Sequence, residues 1–592
     1  MPVYSAPMEN IKFILNDVLG AEQLTEIPGY EEATNDLVEQ ILEEGAKICE
    51  NVLFPLNQSG DQEGCTYKDG EVTTPKGFKE AYDAFTQGGW CGVSADPEFD
   101  GMGLPMLVNT VMQEMICSAN FSFGMYPGLS QGAYEALHHF GTDEQKQTYL
   151  PKLVSGEWSG TMCLTESHCG TDLGLLRTKA VDNGDGSYNL TGNKIFISAG
   201  EHDLSQNIIH LVLGRLPDAL EGVKGISLFV VPKFLPEDMS RNSINCGSIE
   251  HKMGIHANAT AVINMEDAKG WLVGEPHKGL KAMFVMMNAA RLGVAMQGLG
   301  IAEVAYQNAL AYAKDRLQMR ALDGVKAPDK PADPIIVHPD VRRMLLTSKA
   351  FCEGARALSY WVGMHLDISL KHPDENKRQE SDDLVALMTP IIKAYQTDMG
   401  FEISSLAMQV HGGHGYIQEY GVEQYARDAR IAMIYEGTNG IQALDLVGRK
   451  MGANMGRYLR RFFHPVSQYI EKNQANKDLQ EFIFPLAKSF AKLQQSTAII
   501  AQKGLKDPNE AGAASVDYLR QFALVAMAYM WIQMVEVAQK KLAEGEGDKK
   551  FYESKIKTAR FFFARMLPEG DWHFKAVMAG AESLMEMTED EF

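Results

Sequence analysis

Glu436 is the residue of this sequence whose setting best suits proton transfer. It lies in Tyr435-Glu436-Gly437-Thr438-Asn439-Gly440, at the mouth of a turn and next to the apolar Ile431, Met433 and Ile434. A carboxylate desolvated in such a place has its pKa raised, which suits a general base near neutral pH. A loop glutamate in a satisfied turn would show the same spacing. Arg427-Asp428-Ala429-Arg430 leads into this segment, and Gln409-Val410-His411-Gly412-Gly413-His414-Gly415-Tyr416 lies further back. Two glycine-rich turns thus flank a helix-forming stretch, and each can bring backbone N–H groups close to a phosphate or a cofactor ring.

A second chemistry competes. Gly128-Leu129-Ser130-Gln131-Gly132 matches G-x-S-x-G, and a helical pattern follows over Ala133 to Phe140. A nucleophile elbow also needs a buried strand just before the serine. Phe123-Gly124-Met125-Tyr126-Pro127 puts a glycine and a proline there, which leaves Ser130 a weak hydrolytic rival. His168 and Cys169 are adjacent and so poorly placed to face one another as a dyad. His411 and His414 lack a third ligand at regular spacing, and the chain has neither H-E-x-x-H nor a cysteine cluster, so no metal site is expected.

The elements that would position these residues follow the order α, β, α, α. At about 150 residues per domain, 592 residues point to about four units. Residues 1–158 read mainly as helices, with breaks at Gly60 to Gly70 and Pro97 to Pro105. Residues 159–275 change texture: apolar runs such as Ile208 to Leu213 and Ile226 to Val231 are bounded by turn residues, and Asn183-Gly184-Asp185-Gly186 is a hairpin signal, so a compact β domain is expected. Residues 276–450 return to helical patterns at Lys281 to Arg316, Val341 to Leu370 and Asp382 to Val410, with polar loops expected at Asp323 to Pro334 and Lys371 to Asp383. Residues 451–592 read as further helices.

Composition narrows the function classes. The formal net charge is −22, and an acidic chain repels phosphate backbones, so nucleic-acid binding is not expected. The 8 cysteines form no C-x-x-C pair, which favours a reduced compartment. The opening Met1-Pro2-Val3-Tyr4 lacks the basic and apolar regions of a secretory signal. The longest apolar run, Phe522 to Ile532, is too short to span a bilayer, so a cytoplasmic protein without an integral membrane segment is expected.

Several segments, taken in order, resemble the acyl-CoA dehydrogenases. Tyr435-Glu436-Gly437-Thr438 is similar to the family's catalytic segment. Met162-Cys163-Leu164-Thr165-Glu166-Ser167-His168-Cys169-Gly170-Thr171-Asp172 resembles its C-x-T-E-P-x-x-G-S-D stretch, and Gly192-Asn193-Lys194-Ile195-Phe196-Ile197-Ser198-Ala199-Gly200 its G-x-K-x-[WF]-I-[TS]-x-G strand. Pro97 to Gly103, Phe140 to Lys146 and Tyr149-Leu150-Pro151 fit further signatures, and the likeness spans about residues 35 to 450.

The resemblance implies an α+β fold: a helical N-terminal domain, a middle β-barrel domain and a helical bundle, here followed by an extra C-terminal helical domain. It implies α,β-dehydrogenation of an acyl-CoA with FAD as cofactor and Glu436 as base. Some relatives carry the base just before the arginine that corresponds to Arg291, and Ala290 stands there in this chain. By the same likeness Thr165, Phe196, Ser198, Arg316, Gln409, Gly412, Gly413 and Thr438 hold the cofactor, and Thr171, Arg291, Asn288 and Gly437 hold the substrate. Asn288 replaces the family's usual aspartate, and Met319-Arg320 replaces its Phe-Gly after Gln318. The family shares its cofactor sites between subunits, which implies a homodimer, and it passes electrons to electron-transfer flavoprotein. Within the family the likeness is to a large bacterial group and implies a short, methylthioether-bearing acyl group. Medium- or long-chain fatty acyl-CoA is the alternative.

Overall fold

The computed structural model describes residues 2–592, save for the side chains of residues 284–289. The chain divides into two compact units, one of residues 42–104 and 112–293, the other of residues 1–41, 105–111 and 294–592.

The first unit is built on a β-sheet. Its strands are β1 (Thr66–Lys68), β2 (Glu71–Thr73), β3 (Trp158–Cys163), β4 (Lys179–Asp182), β5 (Ser187–Ser198), β6 (Asn207–Arg215), β7 (Ile226–Pro232), β8 (Ile244–Ile249) and β9 (Thr260–Val273). The main path runs β3-β6-β4-β5-β9-β7, and β7 pairs back onto β6, so β6, β4, β5, β9 and β7 close a ring. The ring is thinnest between β4 and β6, joined at Lys179 and Arg215 alone. The Asn183 to Gly186 turn joins β4 to β5 as its sequence requires, with Gly184 and Gly186 in the left-handed region.

The unbroken apolar runs of β6 and β7 have a plain cause, burial on both faces. Val212, Phe229 and Val231 point inward with Leu190, Ala261 and Ile263. Leu211, Leu213, Leu228 and Val230 pack outward on Leu137, Leu150 and Leu153. The last three come from two helices, α1 (Phe121–Phe140) and α2 (Asp143–Ser155). A capping box starts α2: Gln145 N–H donates to Thr142 Oγ1, and Thr142 N–H to Gln145 Oε1. Residues 1–158 are mainly helical as expected, with the small β1–β2 hairpin as an addition that the sequence reading did not include. Its Asp69-Gly70 turn lies wholly at positive φ, the geometry that Asp-Gly hairpins favour.

The second unit is helical. It contains the later part of α3 (Gly279–Asp315), then α4 (Pro339–Lys371), α5 (Glu375–His411), α6 (Glu423–Ala432) and α7 (Asn439–Asp445). The C-terminal extension adds α8 (Ala453–Asn473), α9 (Gln480–Gly504), α10 (Pro508–Glu544), α11 (Lys549–Phe561) and α12 (Glu569–Ala579). The loop expected over Lys371 to Asp383 shrinks to three residues. Asp374 caps α5 by accepting the Asn376 N–H, so the polar run that follows is a solvated helical face and not a loop. The other expected loop is present, and buried Asp333 organises it. Burial would raise the Asp333 pKa, but N–H groups of Ala321, Ala327 and Lys326 and the Arg320 guanidinium hold it at about 2.

Among the described residues, one helix is long and apolar enough to cross a membrane, α10. Its most apolar window is 83% buried inside the protein, as a core helix is.

Candidate active site

Glu436 sits between α6 and α7 in a turn with two consecutive left-handed residues, Glu436 at φ 56 and Gly437 at φ 82. A non-glycine residue held there costs about 1–2 kcal/mol, so the surroundings must hold it. They do so by the carbonyls. Lys393 Nζ, from the buried middle of α5, donates to Gly437 O and to Asn439 Oδ1, both at 2.9 Å. Gln442 Nε2 donates to Glu436 O at 3.0 Å, and Asn439 N–H closes the loop onto Met433 O at 3.1 Å. Tyr435 Oη donates to Gln297 on α3. Asn439 Nδ2 in turn donates to Asp398 Oδ1 at 2.6 Å. Thr438 is the N-cap of α7, where its hydroxyl accepts the Ile441 N–H at 3.4 Å, which gives it a local structural task.

The arginine lead-in is mostly committed to α6. Arg427 makes a two-pronged pair with Glu423, and buried Asp428 accepts from Gln424 Nε2. The sequence reading singled out neither Lys393 nor Gln442. Lys393 had a signal, as a lone cation inside the apolar run Leu387 to Tyr395.

Gln409 lies in the last turn of α5, about 16 Å further along the helix than Asp398 at 1.5 Å per residue, and Gly412 and Gly413 follow just past the helix end. All three are exposed, as is Arg316 at the end of α3. Gly412 has φ 60, and a Cβ added to Gly412 or Gly413 would meet nothing within 4 Å, so this turn presents an open backbone surface. Tyr312 gathers the group. It stacks on His411 at 4.2 Å, its hydroxyl bonds His414 Nδ1 at 2.9 Å, and its carbonyl accepts the Arg316 N–H. Met319, also at positive φ, is 76% exposed. The two histidines are thus engaged with Tyr312 and, for His411, with Ala407 O.

In the first unit, the loop after β3 and strand β5 are tied together. Ile195 N–H donates to Thr165 O at 2.9 Å, and fully buried Lys194 reaches Glu166 Oε1 at 2.9 Å and Leu164 O at 3.1 Å. Burial would raise the Glu166 pKa, but Lys194 and Thr178 outweigh it and hold the carboxyl below its usual range. A register shift between Lys194 and Ile197 marks a bulge in β5. There Phe196 adopts φ 59 and is 59% exposed, a large apolar ring held outward by a strained backbone. Ser198 and Thr165 are half-buried nearby in sequence, Thr171 is exposed and Arg291 is buried. The Asn288 side chain lies outside the described residues.

Ser130 cannot be an elbow nucleophile. It sits in the middle of α1, 4% exposed, where its hydroxyl donates to Tyr126 O and accepts the Gly160 N–H, both at 3.0 Å. Asn120 caps this helix well upstream, so no strand precedes the serine. Among the described residues, one cluster brings three potential metal ligands within 4.8 Å, Glu166, His168 and Cys169. Glu166 is already spent on Lys194, Thr178 and the Arg177 N–H, which argues for a structural role.

Comparison with known proteins bears directly on this arrangement. Residues 38–157, 161–268 and 277–452 match the N-terminal, middle and C-terminal domains of acyl-CoA dehydrogenase, and residues 462–588 match the acetyl-CoA dehydrogenase C-terminal-like domain. The chain is 43% identical to 3-methylmercaptopropionyl-CoA dehydrogenase of Ruegeria pomeroyi, over 98% of this chain and 99% of that protein. It belongs to the acyl-CoA dehydrogenase family. A butyryl-CoA dehydrogenase of Syntrophomonas wolfei is 33% identical over 100% of this chain and 99% of its own length. Among solved structures, Caenorhabditis elegans ACDH-11 in complex with C11-CoA superposes with a TM-score of 0.80 at 18% identity, covering 99% of this chain and 96% of that one. At that identity the likeness speaks to the fold, and it includes the C-terminal extension. This acyl-CoA dehydrogenase therefore keeps the family's three-part body and adds the helices α8 to α12.

Proposed function

We propose that this acyl-CoA dehydrogenase oxidises 3-methylmercaptopropionyl-CoA to methylthioacryloyl-CoA, with Glu436 as the base. The observation that carries the base assignment is the catalytic turn: a half-buried carboxylate on a left-handed backbone whose flanking carbonyls are pinned by Lys393 and Gln442. Strained backbone of that kind persists only where its surroundings hold it, and it clusters at active sites. The substrate reading is supported by the 43% identity along nearly the whole chain.

The residues present fit FAD. Phe196 offers an exposed aromatic ring, Arg316 an exposed guanidinium suited to a pyrophosphate, and Gly412-Gly413 an open, exposed backbone. In the proposal Thr165, Phe196 and Ser198 hold the flavin end, while Arg316, Gln409, Gly412, Gly413 and Thr438 take the dinucleotide end. Bound FAD supplies the two-electron acceptor for the β-hydride. Glu436 Oε removes the α-proton as that hydride leaves. The Glu436 N–H donates to the thioester carbonyl oxygen, where negative charge grows, so one residue both takes the proton and stabilises its consequence. Arg291, Thr171 and Gly437 bind the CoA-bearing substrate; Asn288 is assigned there by sequence alone.

The proposal extends to organisation. Residues 1–158, 159–275, 276–450 and 451–592 act as four domains, two chains share their cofactor sites as a homodimer in the cytoplasm, and electron-transfer flavoprotein takes the electrons. A second reading, fatty acyl-CoA oxidation, is favoured by the butyryl-CoA relative and by the broad-specificity linear acyl-CoA dehydrogenase FadE5 of Mycobacterium tuberculosis, 33% identical over 96% of this chain. Anaerobic titration with 3-methylmercaptopropionyl-, butyryl-, octanoyl- and palmitoyl-CoA, following the visible flavin absorbance, separates the two. Fastest bleaching by the sulfur substrate supports the first reading, and preference for a longer plain chain replaces it with the second.

A further inference from the structure

The extension does more in this fold than lengthen the bundle, because one of its charges reaches the network that holds the catalytic turn. Helix α7, which begins at Asn439, packs on α10 of the extension. Arg520 projects from α10 and lies with Nε 3.7 Å from Asp398 Oδ2. The other oxygen of Asp398 accepts the short bond from Asn439 Nδ2, at 2.6 Å. Asn439 also receives Lys393 Nζ, the same ammonium that pins Gly437 O. A continuous line of polar contacts therefore runs from the extension to the residue next to the base.

Arg520 is itself held. Its second arm meets Glu569 Oε1 on α12 at 3.4 Å. His573 sits on that same carboxylate with Nε2 at 3.1 Å, and its Nδ1 lies 2.8 Å from Asp517 Oδ1. Partners on both its neighbouring helices fix the guanidinium in place, as a device for positioning requires.

We propose that Arg520 is a positioning residue for catalysis: its guanidinium steadies Asp398, which holds Asn439 and thereby the turn that presents Glu436. This rests on the reading of Glu436 as the base. The charged groups around Asp398 show why a cation is needed there. Lys393 on its own helix, Arg430 on α6 and Arg520 on α10 favour the carboxylate, while Glu402 on α5 and Glu569 on α12 add negative charge beside Arg520. Burial pushes the Asp398 carboxyl upward even with these cations present. Without Arg520, protonation reaches closer to neutral pH. A protonated carboxyl gives a neutral, weaker bond to Asn439 in place of a charge-assisted one.

The test uses the FAD-loaded full chain, with R520Q, R520K, D398N and R520Q/D398N beside E436Q. Three quantities are read: the rate of flavin reduction at saturating substrate across about pH 5.5 to 9, the dissociation constant of a non-reducing CoA thioether, and amide exchange of the segment 433–442 with and without FAD. In R520Q the rate at neutral pH falls roughly tenfold or more, in line with the sensitivity of catalysis to sub-ångström misplacement. The fall deepens as pH drops, ligand affinity stays within about twofold, and segment 433–442 exchanges faster in both forms. R520K recovers most of the rate. D398N in the R520Q background removes the added acid dependence and leaves only that of the base itself, because the amide cannot protonate.

The proposal is overturned if R520Q keeps the wild-type rate, pH profile and exchange. It is equally overturned if R520Q merely melts earlier while exchange at 433–442 and the pH profile are unchanged. If R520Q does not fold, D398N carries the test, and a wild-type rate with wild-type exchange at 433–442 in that variant defeats it. Normal flavin reduction by E436Q would defeat the base assignment instead, whereas an inert E436Q beside a wild-type-like R520Q defeats the positioning role alone.

Discussion

Lys393 is the sharpest place to perturb the catalytic turn. Lys393→Met keeps the length of the side chain and removes its charge and donors. Two charge-assisted bonds disappear, to Gly437 O and to Asn439 Oδ1. Such bonds contribute about 1.5–3 kcal/mol each. Part of that loss is offset, because the ammonium no longer has to be desolvated in a fully buried site. Gly437 O also keeps a longer bond from Gln442 at 3.3 Å, and Asn439 keeps Asp398. The net cost to stability is about 2–3 kcal/mol. The larger effect falls on catalysis, because the left-handed Glu436-Gly437 pair loses its strongest anchor and relaxes toward unstrained backbone. A shift of about 1 Å in a reacting group costs about 100-fold in rate. Stopped-flow flavin reduction at saturating substrate, read beside the affinity of a non-reducing CoA ligand, gives the comparison. The expected result is a rate about 100-fold lower with affinity nearly unchanged. A variant that reduces its flavin within about threefold of wild type would show that the anchor does not position the base.

Other expectations follow from the same structure. Lys555 on α11 lies 3.0 Å from Glu353 on α4, both buried, with Lys349 on the carboxylate's other side. Burial would raise the Glu353 pKa, but the two lysines hold it down at about 2. Glu353→Gln therefore destabilises by about 3–5 kcal/mol at neutral pH. Because the folded-state pKa is depressed, this difference shrinks as pH falls from about 4.5 toward about 2, and a difference independent of pH in denaturation would contradict the pairing. Phe196→Gly removes a residue from the left-handed region and leaves the FAD-free protein as stable or about 1 kcal/mol more so, yet weakens FAD retention; undiminished FAD binding by equilibrium dialysis would remove Phe196 from the cofactor site. Ser130→Ala lowers thermal stability by deleting bonds to Tyr126 O and Gly160 N, and leaves the rate of flavin reduction unchanged. A rate that collapses with the hydroxyl would reopen Ser130.

The long helices were legible because their apolar periodicity is strong: the expected Lys281 to Arg316 and Val341 to Leu370 stand beside helices observed at Gly279–Asp315 and Pro339–Lys371. The strands β6 and β7 were legible as apolar runs, and their two-sided burial explains why they do not alternate. Two features escaped for local reasons. The β1–β2 hairpin is only three residues a side and mostly exposed, so it leaves little pattern beyond Asp69-Gly70. The start of α5 is a polar run that periodicity cannot separate from a loop, although Asp374 marks its cap. At the site, the sequence pointed to Glu436 and its glycine turn but not to what holds them. Lys393, Asp398 and Arg520 come from distant segments, and pairs of that kind carry no spacing signal. Thr438 shows the converse, a motif residue whose visible task is to cap a helix.

If Glu436 takes the substrate's α-proton, Glu436→Gln must abolish flavin reduction without releasing the flavin. Glutamine keeps the size of the side chain and the backbone N–H but cannot act as the base at neutral pH. The purified variant, loaded with FAD, is mixed anaerobically with 3-methylmercaptopropionyl-CoA and its visible spectrum is followed. With the base removed, the flavin remains bound and oxidised while substrate binding perturbs its spectrum. Bleaching at the wild-type rate would contradict the role of Glu436 and move the base elsewhere.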